Sequence, residues 1–360
     1  MTQQVGTQSL QFADPPYVIS SGSVVGKKEG EGPLGKKFDL VGEDETFGCE
    51  TWEEAESTLQ KEALTIAAGK AGIDVSELRY LFAGDLLGQT IATSFGLQQF
   101  DVPLFGLYGA CSTAGESISL AAMTVAAGYA NLVGAVTSSH FASAEKQFRF
   151  PLEYANQRPL CTTWTVTGSG AFVLGNRKQM QLLKTLNPEK EGNAPYQIRI
   201  CGITTGKIVD YGVRDSMNMG AAMAPAAADC IAAHFKDFGR SPSYYDKIIT
   251  GDLGQVGREI LLDLLKRKNL DIGAFHTDCG IEIYDNKNQG TGSGGSGCGC
   301  AAVTMSAHFL PMMRQGELKR ILFVPTGALL SKISFNEGKN VPGIAHGIVL
   351  EARADRQQEV

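Results

Sequence analysis

The sequence predicts an α/β fold in which one strand–helix unit is built twice. Three observations carry this reading. Short apolar runs alternate with helix-patterned stretches along most of the 360 residues. The alternation reaches a Gly-rich strand at 164–175, gives way to a polar connection and restarts near residue 196. TGSGAFVLG in the middle and PGIAHGIVLE near the end echo one another, each closing a half of similar length. The halves divide as 1–180 and 181–360.

In chain order, residues 1 to about 15 form a polar leader and YVISSGSVVG (17–26) a strand. The Gly-, Lys- and Glu-rich stretch 26–50 reads as a surface excursion. Thr51 with Glu54 three residues on is a capping box, opening the amphipathic helix TWEEAESTLQKEALTIAAGKAG. LRYLFAGD is a strand, followed by a short helix. VPLFGLY, bounded by Pro103 and Gly109, is a short apolar run that suits a buried strand. Ile118, Ala121, Ala122 and Val125 then recur at helical spacing, and ANLVGAVTSS (130–139) is a further buried strand. Strands alternating with helices imply parallel pairing. NRKQMQLLKTLNPEKEGNAP (176–195) reads as connection. The second half repeats the plan. YQIRICGITTG is a strand, SMNMGAAMAPAAADCIAAHF a helix, DKIITGD a strand and QVGREILLDLLKRK a helix. A Gly-rich turn then leads into a helix, and RILFVPTG and PGIAHGIVLEA are the closing strands.

Composition narrows the function. Hydrophobic residues make up 43% and charged residues only 19%, which describes a packed globular chain. The net charge of −6, without a basic stripe, argues against nucleic acid as a partner. No apolar run approaches the ~18 residues of a membrane span, and MTQQVGTQSLQFADPP lacks the plan of a secretion signal. A cytosolic location follows as the expectation, with any membrane met through a partner. The eight cysteines are then expected to be reduced. Cys298-Gly299-Cys300 lacks the paired spacing or nearby histidine of a zinc site and reads as small residues in a packed helix. No metal or cofactor is expected.

YGACSTAGESISLAAM places Cys111 between a small-residue turn and a helix. Near a helix N-terminus a thiol should ionise more easily, which suits a nucleophile. A free cysteine is equally at home as a small buried residue, and the stretch alone leaves both readings open.

The duplicated halves, ACSTAG, TVTGSGAFVLG and PGIAHGIVLEA together resemble the thiolase superfamily, which includes thiolases and ketoacyl-carrier-protein synthases. The resemblance runs from about residue 15 to 352 and implies two mixed sheets packed around buried helices. It puts Cys111 at the nucleophile position but leaves its partners unfilled. Gly251-Asp252-Leu253-Gly254 stands where those enzymes keep Asn or His, GTGSGGSGCG where thiolases keep Gly-His-Pro, and Val341 at the second thiolase cysteine. Glycine and valine cannot move a proton, so condensation chemistry should be disabled.

Within the superfamily, MNMGAAMAPAAADC, IITGDLGQVG, FVPTGALLS and VPGIAHG resemble a sporulation branch from spore-forming bacteria. That resemblance implies a non-catalytic protein binding dipicolinic acid and supporting its uptake into the spore. Its implied partners are membrane proteins of the same sporulation complex, its implied place the spore inner membrane surface, and its implied assembly a homodimer. The implied ligand site is a cavity shared by Cys111 and His346, with Asp252 and Ser296. Arg149 and Arg158, flanking FPLEYANQ, would be the cations for a carboxylate. The other histidines, His140, His234, His276 and His308, have no evident partner in sequence and read as surface or satisfied residues. The rival expectation is an acyl-CoA or acyl-carrier-protein condensing enzyme, or a thioesterase, using Cys111.

Overall fold

The computed structural model describes residues 3–148, 158–189 and 194–354. Ten strands run across one sheet as two five-strand sets with the same internal order. The first set is Tyr17–Val25, Gly168–Gly175, Leu132–Ser139, Leu81–Gly84 and Leu104–Gly106. The second is Tyr196–Thr204, Gly347–Ala354, Arg320–Val324, Lys247–Thr250 and His276–Asp278. In each set the first three strands pair antiparallel and the last three parallel. The parallel pairs arise where a helix crosses over between strands, as alternation predicts. The Gly-rich closing strands instead return antiparallel. The two mixed sheets implied by the resemblance are these two sets, which meet edge to edge at Ile198↔Val18 and Arg199↔Tyr17.

Two small-residue helices lie inside. Cys298–Thr304 is wholly buried and Thr113–Ala126 mostly so, and both contribute to one core that also takes Phe172, Ile200 and Ile348 from the sheet. The second continues through a π turn, Met305–Phe309, into Leu310–Gln315. The outer faces are covered by longer helices. Trp52–Ala71 packs on the first set with Leu59, Leu64 and Ala67, its start fixed by the Thr51/Glu54 capping box. Met219–Phe238 packs on the second with Ala224, Ala227 and Ile231.

Four local expectations change. The leader is not a tail: Ser9–Gln11 joins the sheet antiparallel to Tyr196–Thr204. Stretch 26–50 dips into the interior, where Glu29 is fully buried and accepts hydrogen bonds from the Tyr284 hydroxyl and the Thr167 N–H. The connection after residue 175 contains a helix, Arg177–Leu186, capped by the Asn176 side chain. VPLFGLY is a strand but not a buried one. It ends the sheet, so Leu104 and Phe105 are 40% and 52% exposed. An apolar run reports that a strand is half-covered, not how many neighbours it has.

A candidate ligand cavity at the Cys111 elbow

The turn before Thr113 is built from short-range hydrogen bonds. The Ser112 hydroxyl donates to the Gly109 carbonyl at 2.7 Å and the Thr113 hydroxyl to the Ala110 carbonyl at 2.6 Å. These hold Ala110 at φ 50°, a left-handed conformation uncommon for a residue with a side chain. The second half closes on this elbow from Gly327, where an added Cβ would lie 2.4 Å from the Gly109 carbonyl oxygen. Only glycine permits that approach.

Cys111 lines a narrow cavity of about 50 Å³. Its apolar walls include Leu86 and Phe148 from the first half and Met219, Met223 and Leu330 from the second. Its polar groups are Tyr108, Cys111, Thr165, Asp252 and Ser296. The cavity therefore forms only when the halves come together.

Asp252 is fully buried at this wall. Its Oδ2 accepts the Gly297 N–H at 3.0 Å, its Oδ1 accepts the Thr326 hydroxyl at 2.6 Å, and the Cys111 thiol hydrogen-bonds the same carboxyl. Gly297 sits at φ 100°, and a Cβ there would meet the Ser139 hydroxyl at 2.5 Å. Glycine thus lets the buried helix begin close enough to present its N–H to Asp252. Burial pushes the Asp252 carboxyl up to about 7, against the lowering by its hydrogen-bond donors. Burial, then the charge of Asp252, push the Cys111 thiol well above its ordinary value. This reverses the expectation of easier ionisation, because removal from water and a neighbouring carboxylate outweigh a helix terminus.

Of the six expected site residues, Cys111, Asp252 and Ser296 line the cavity. His346 does not. Its ring Nδ1 accepts the Gly206 N–H at 3.3 Å, and its Cβ lies 3.2 Å from where a Cβ on Gly115 would sit. Burial holds its imidazole neutral, down to about 4. Arg158 is not a wall residue either. Its guanidinium meets Glu145 at 3.3 Å and the Thr163 carbonyl, and stacks near Phe141 and Trp164. The acid it neutralises is fully buried, so this arginine is committed to the fold. Arg149 lies outside the described residues. His140, His234 and His276 are buried with hydrogen-bond partners, while His308 meets the Lys37 ammonium at 2.8 Å. Cys298 and Cys300 are buried, their thiols donating to the Ser138 and Gly251 carbonyls. No group of three or more His, Cys, Asp or Glu side chains among the described residues is placed to hold a metal ion.

Sequence inspection passed over a second echo. Gly84-Asp85-Leu86 and Gly251-Asp252-Leu253 follow strands that hold the same place in the two sets. The repeated Gly-Asp-Leu was the signal that Asp252 belongs to a built turn, with a buried acid in each copy.

Comparison with known proteins agrees with this architecture. The model of the family "Stage V sporulation protein AD" matches residues 6–351. The chain belongs to that family. Stage V sporulation protein AD of Bacillus subtilis (strain 168) is 40% identical over 346 residues, covering 96% of this chain and 97% of the relative. Among solved structures, 3-oxoacyl-[acyl-carrier-protein] synthase III from Aquifex aeolicus VF5 superposes with a TM-score of 0.53 at 13% identity. It covers 93% of this chain and 99% of its own. An OleA variant from Xanthomonas campestris reaches 0.55 at 13% identity, over 95% and 99%. At that identity these structures speak for the thiolase-like fold alone. No helix among the described residues is long and apolar enough to cross a membrane.

Proposed function

We propose that this sporulation-family protein is a non-catalytic small-molecule binder whose cavity takes dipicolinic acid and passes it to membrane proteins of the same sporulation complex. The observation that carries this reading is the setting of Cys111: a thiol lining a formed cavity, beside the buried Asp252 carboxyl, where burial and that carboxyl raise its ionisation well above the ordinary value. A cysteine nucleophile reacts as the thiolate, and this site disfavours it. The cavity otherwise has the make-up of a binding site, with apolar walls and a few convergent polar groups. Leu86, Met219 and Met223 suit the faces of a flat ring, and the hydroxyls of Tyr108, Thr165 and Ser296 can donate to its carboxylates.

Calorimetry with dipicolinate tests the reading. The protein should bind it saturably, and Met219→Trp, at a partly buried wall position, should abolish binding while leaving the fold intact by circular dichroism. Absence of binding by the parent protein would overturn the reading. Incubation with acetyl-CoA followed by mass spectrometry tests the rival. A stable acetyl adduct on Cys111, absent from Cys111→Ser, would make the protein an enzyme.

A further inference from the structure

Resting on that binding reading, we propose that the cavity takes up its anionic ligand together with one proton from solvent, held by Asp252. The geometry requires some such compensation. Asp252 is fully buried at the wall beside Cys111, and both its oxygens already accept hydrogen bonds from Gly297 and Thr326. A carboxylate ligand entering the cavity brings a second negative charge into the same weakly polar space. Two like charges sharing such a site do not both stay ionised. Protonation of Asp252 removes the repulsion and turns the acid into a donor.

The groups facing Asp252 reinforce this. From the elbow comes the Cys111 thiol, and from the buried helix the Cys298 and Cys300 thiols, each held well above its ordinary ionisation range. From the end of strand His276–Asp278 come Asp278 and Cys279, the former adding a further repulsive charge. Behind Cys298 lie Glu56 and Asp85, both also pushed up by burial. The neighbourhood is acid and thiol on every side that these elements supply. Asp252, at about 7, is the member both at the cavity wall and poised to take a proton near neutrality.

The test is calorimetry with dipicolinate, whose own carboxyls stay ionised from pH 6 to 9, in buffers of different ionisation enthalpy. The parent protein should take up close to one proton per ligand at about pH 8.5 and almost none at about pH 6, where Asp252 already holds its proton. Affinity should fall roughly tenfold per pH unit above the Asp252 midpoint. Asp252→Asn should abolish uptake and bind at pH 8.5 as the parent does at low pH. Glu56→Gln should leave uptake in place, excluding that acid as the source. Thr326→Val removes a donor to the Asp252 carboxylate, so its affinity should begin to fall at higher pH than in the parent. It also serves as the check if Asp252→Asn does not fold. Binding without proton uptake, or uptake that survives Asp252→Asn or vanishes in Glu56→Gln, would overturn the proton coupling alone. An absence of binding at every pH would instead overturn the binding reading on which it rests.

Discussion

Leu104–Gly106 and His276–Asp278 hold the same place in the two halves, each the last strand of its parallel set. The first is exposed at all three residues, whereas the second is enclosed, and its Asp278 accepts hydrogen bonds from the Thr250 hydroxyl and from the N–H groups of Leu253, Gly254 and Gly280. The turns beside them diverge in the same way. Asp85 turns to its own half, accepting the N–H groups of Leu87 and Thr93 and the Thr93 hydroxyl. Asp252 accepts from Gly297 and Thr326 in its own half, but it also meets the Cys111 thiol of the other half and lines the cavity. Duplication thus supplies two copies of one turn. One copy serves local structure while the other is free to face a site.

The sharpest test of this asymmetry is Asp278→Ala. It strands four buried donors, and we expect a loss of about 3 kcal/mol in urea unfolding. A loss below 1 kcal/mol would mean that the second edge is no more tied down than the first. Next comes the acid behind the first turn. Burial, followed by the charge of Asp85, raises Glu56 from 4.5 to about 8. The native state then holds a proton that the unfolded chain releases, so this contribution is full at low pH and lost as pH rises through about 8. Asp252 and Glu29, both raised to about 7, act in the same direction. His346, lowered to about 4, acts oppositely, but its effect is complete by about pH 7. Stability should therefore fall between pH 7 and 9. Glu56→Gln should flatten that fall by about 1 kcal/mol, and an unchanged slope would place the titration elsewhere.

Smaller effects compare the outer helices. Thr51→Ala breaks the capping box of Trp52–Ala71, and Asn218→Ala removes the side chain that caps Met219–Phe238. Each should cost about 1 kcal/mol by thermal unfolding. A much larger effect at one end alone would show that its cap does more than satisfy an N–H. Smallest of all, Leu104→Ala on the exposed edge should change monomer stability by less than about 1 kcal/mol. A larger loss in dilute solution would show that the edge is covered after all.

Much of the fold was legible because its signals are local. The Thr51/Glu54 box, the apolar spacing from Ile118 to Val125 and the Gly-rich closing strands each act within a few residues, and each formed the expected element. The site was legible only in part. Resemblance grouped Cys111, Asp252 and Ser296, and all three line one cavity. It grouped His346 and Arg158 with them, and neither lines that cavity, since whether a side chain turns to a cavity or to a buried partner depends on neighbours distant in sequence. For Arg158 that neighbour is Glu145, and for His346 it is Gly206.

The sequence by itself determined the duplicated α/β plan, the elbow at Cys111 and the buried character of its two small-residue helices. Periodicity, capping and small-residue turns are short-range constraints that any neighbourhood must respect. Tertiary structure decided which edge strand is exposed, which Gly-Asp-Leu turn faces the cavity, and whether Cys111 is activated or held protonated. Those outcomes depend on burial and on charges brought together from both halves. Burial strips water from Cys111 and Asp252 alike, and that loss of solvation sets their ionisation more strongly than the helix start beside them.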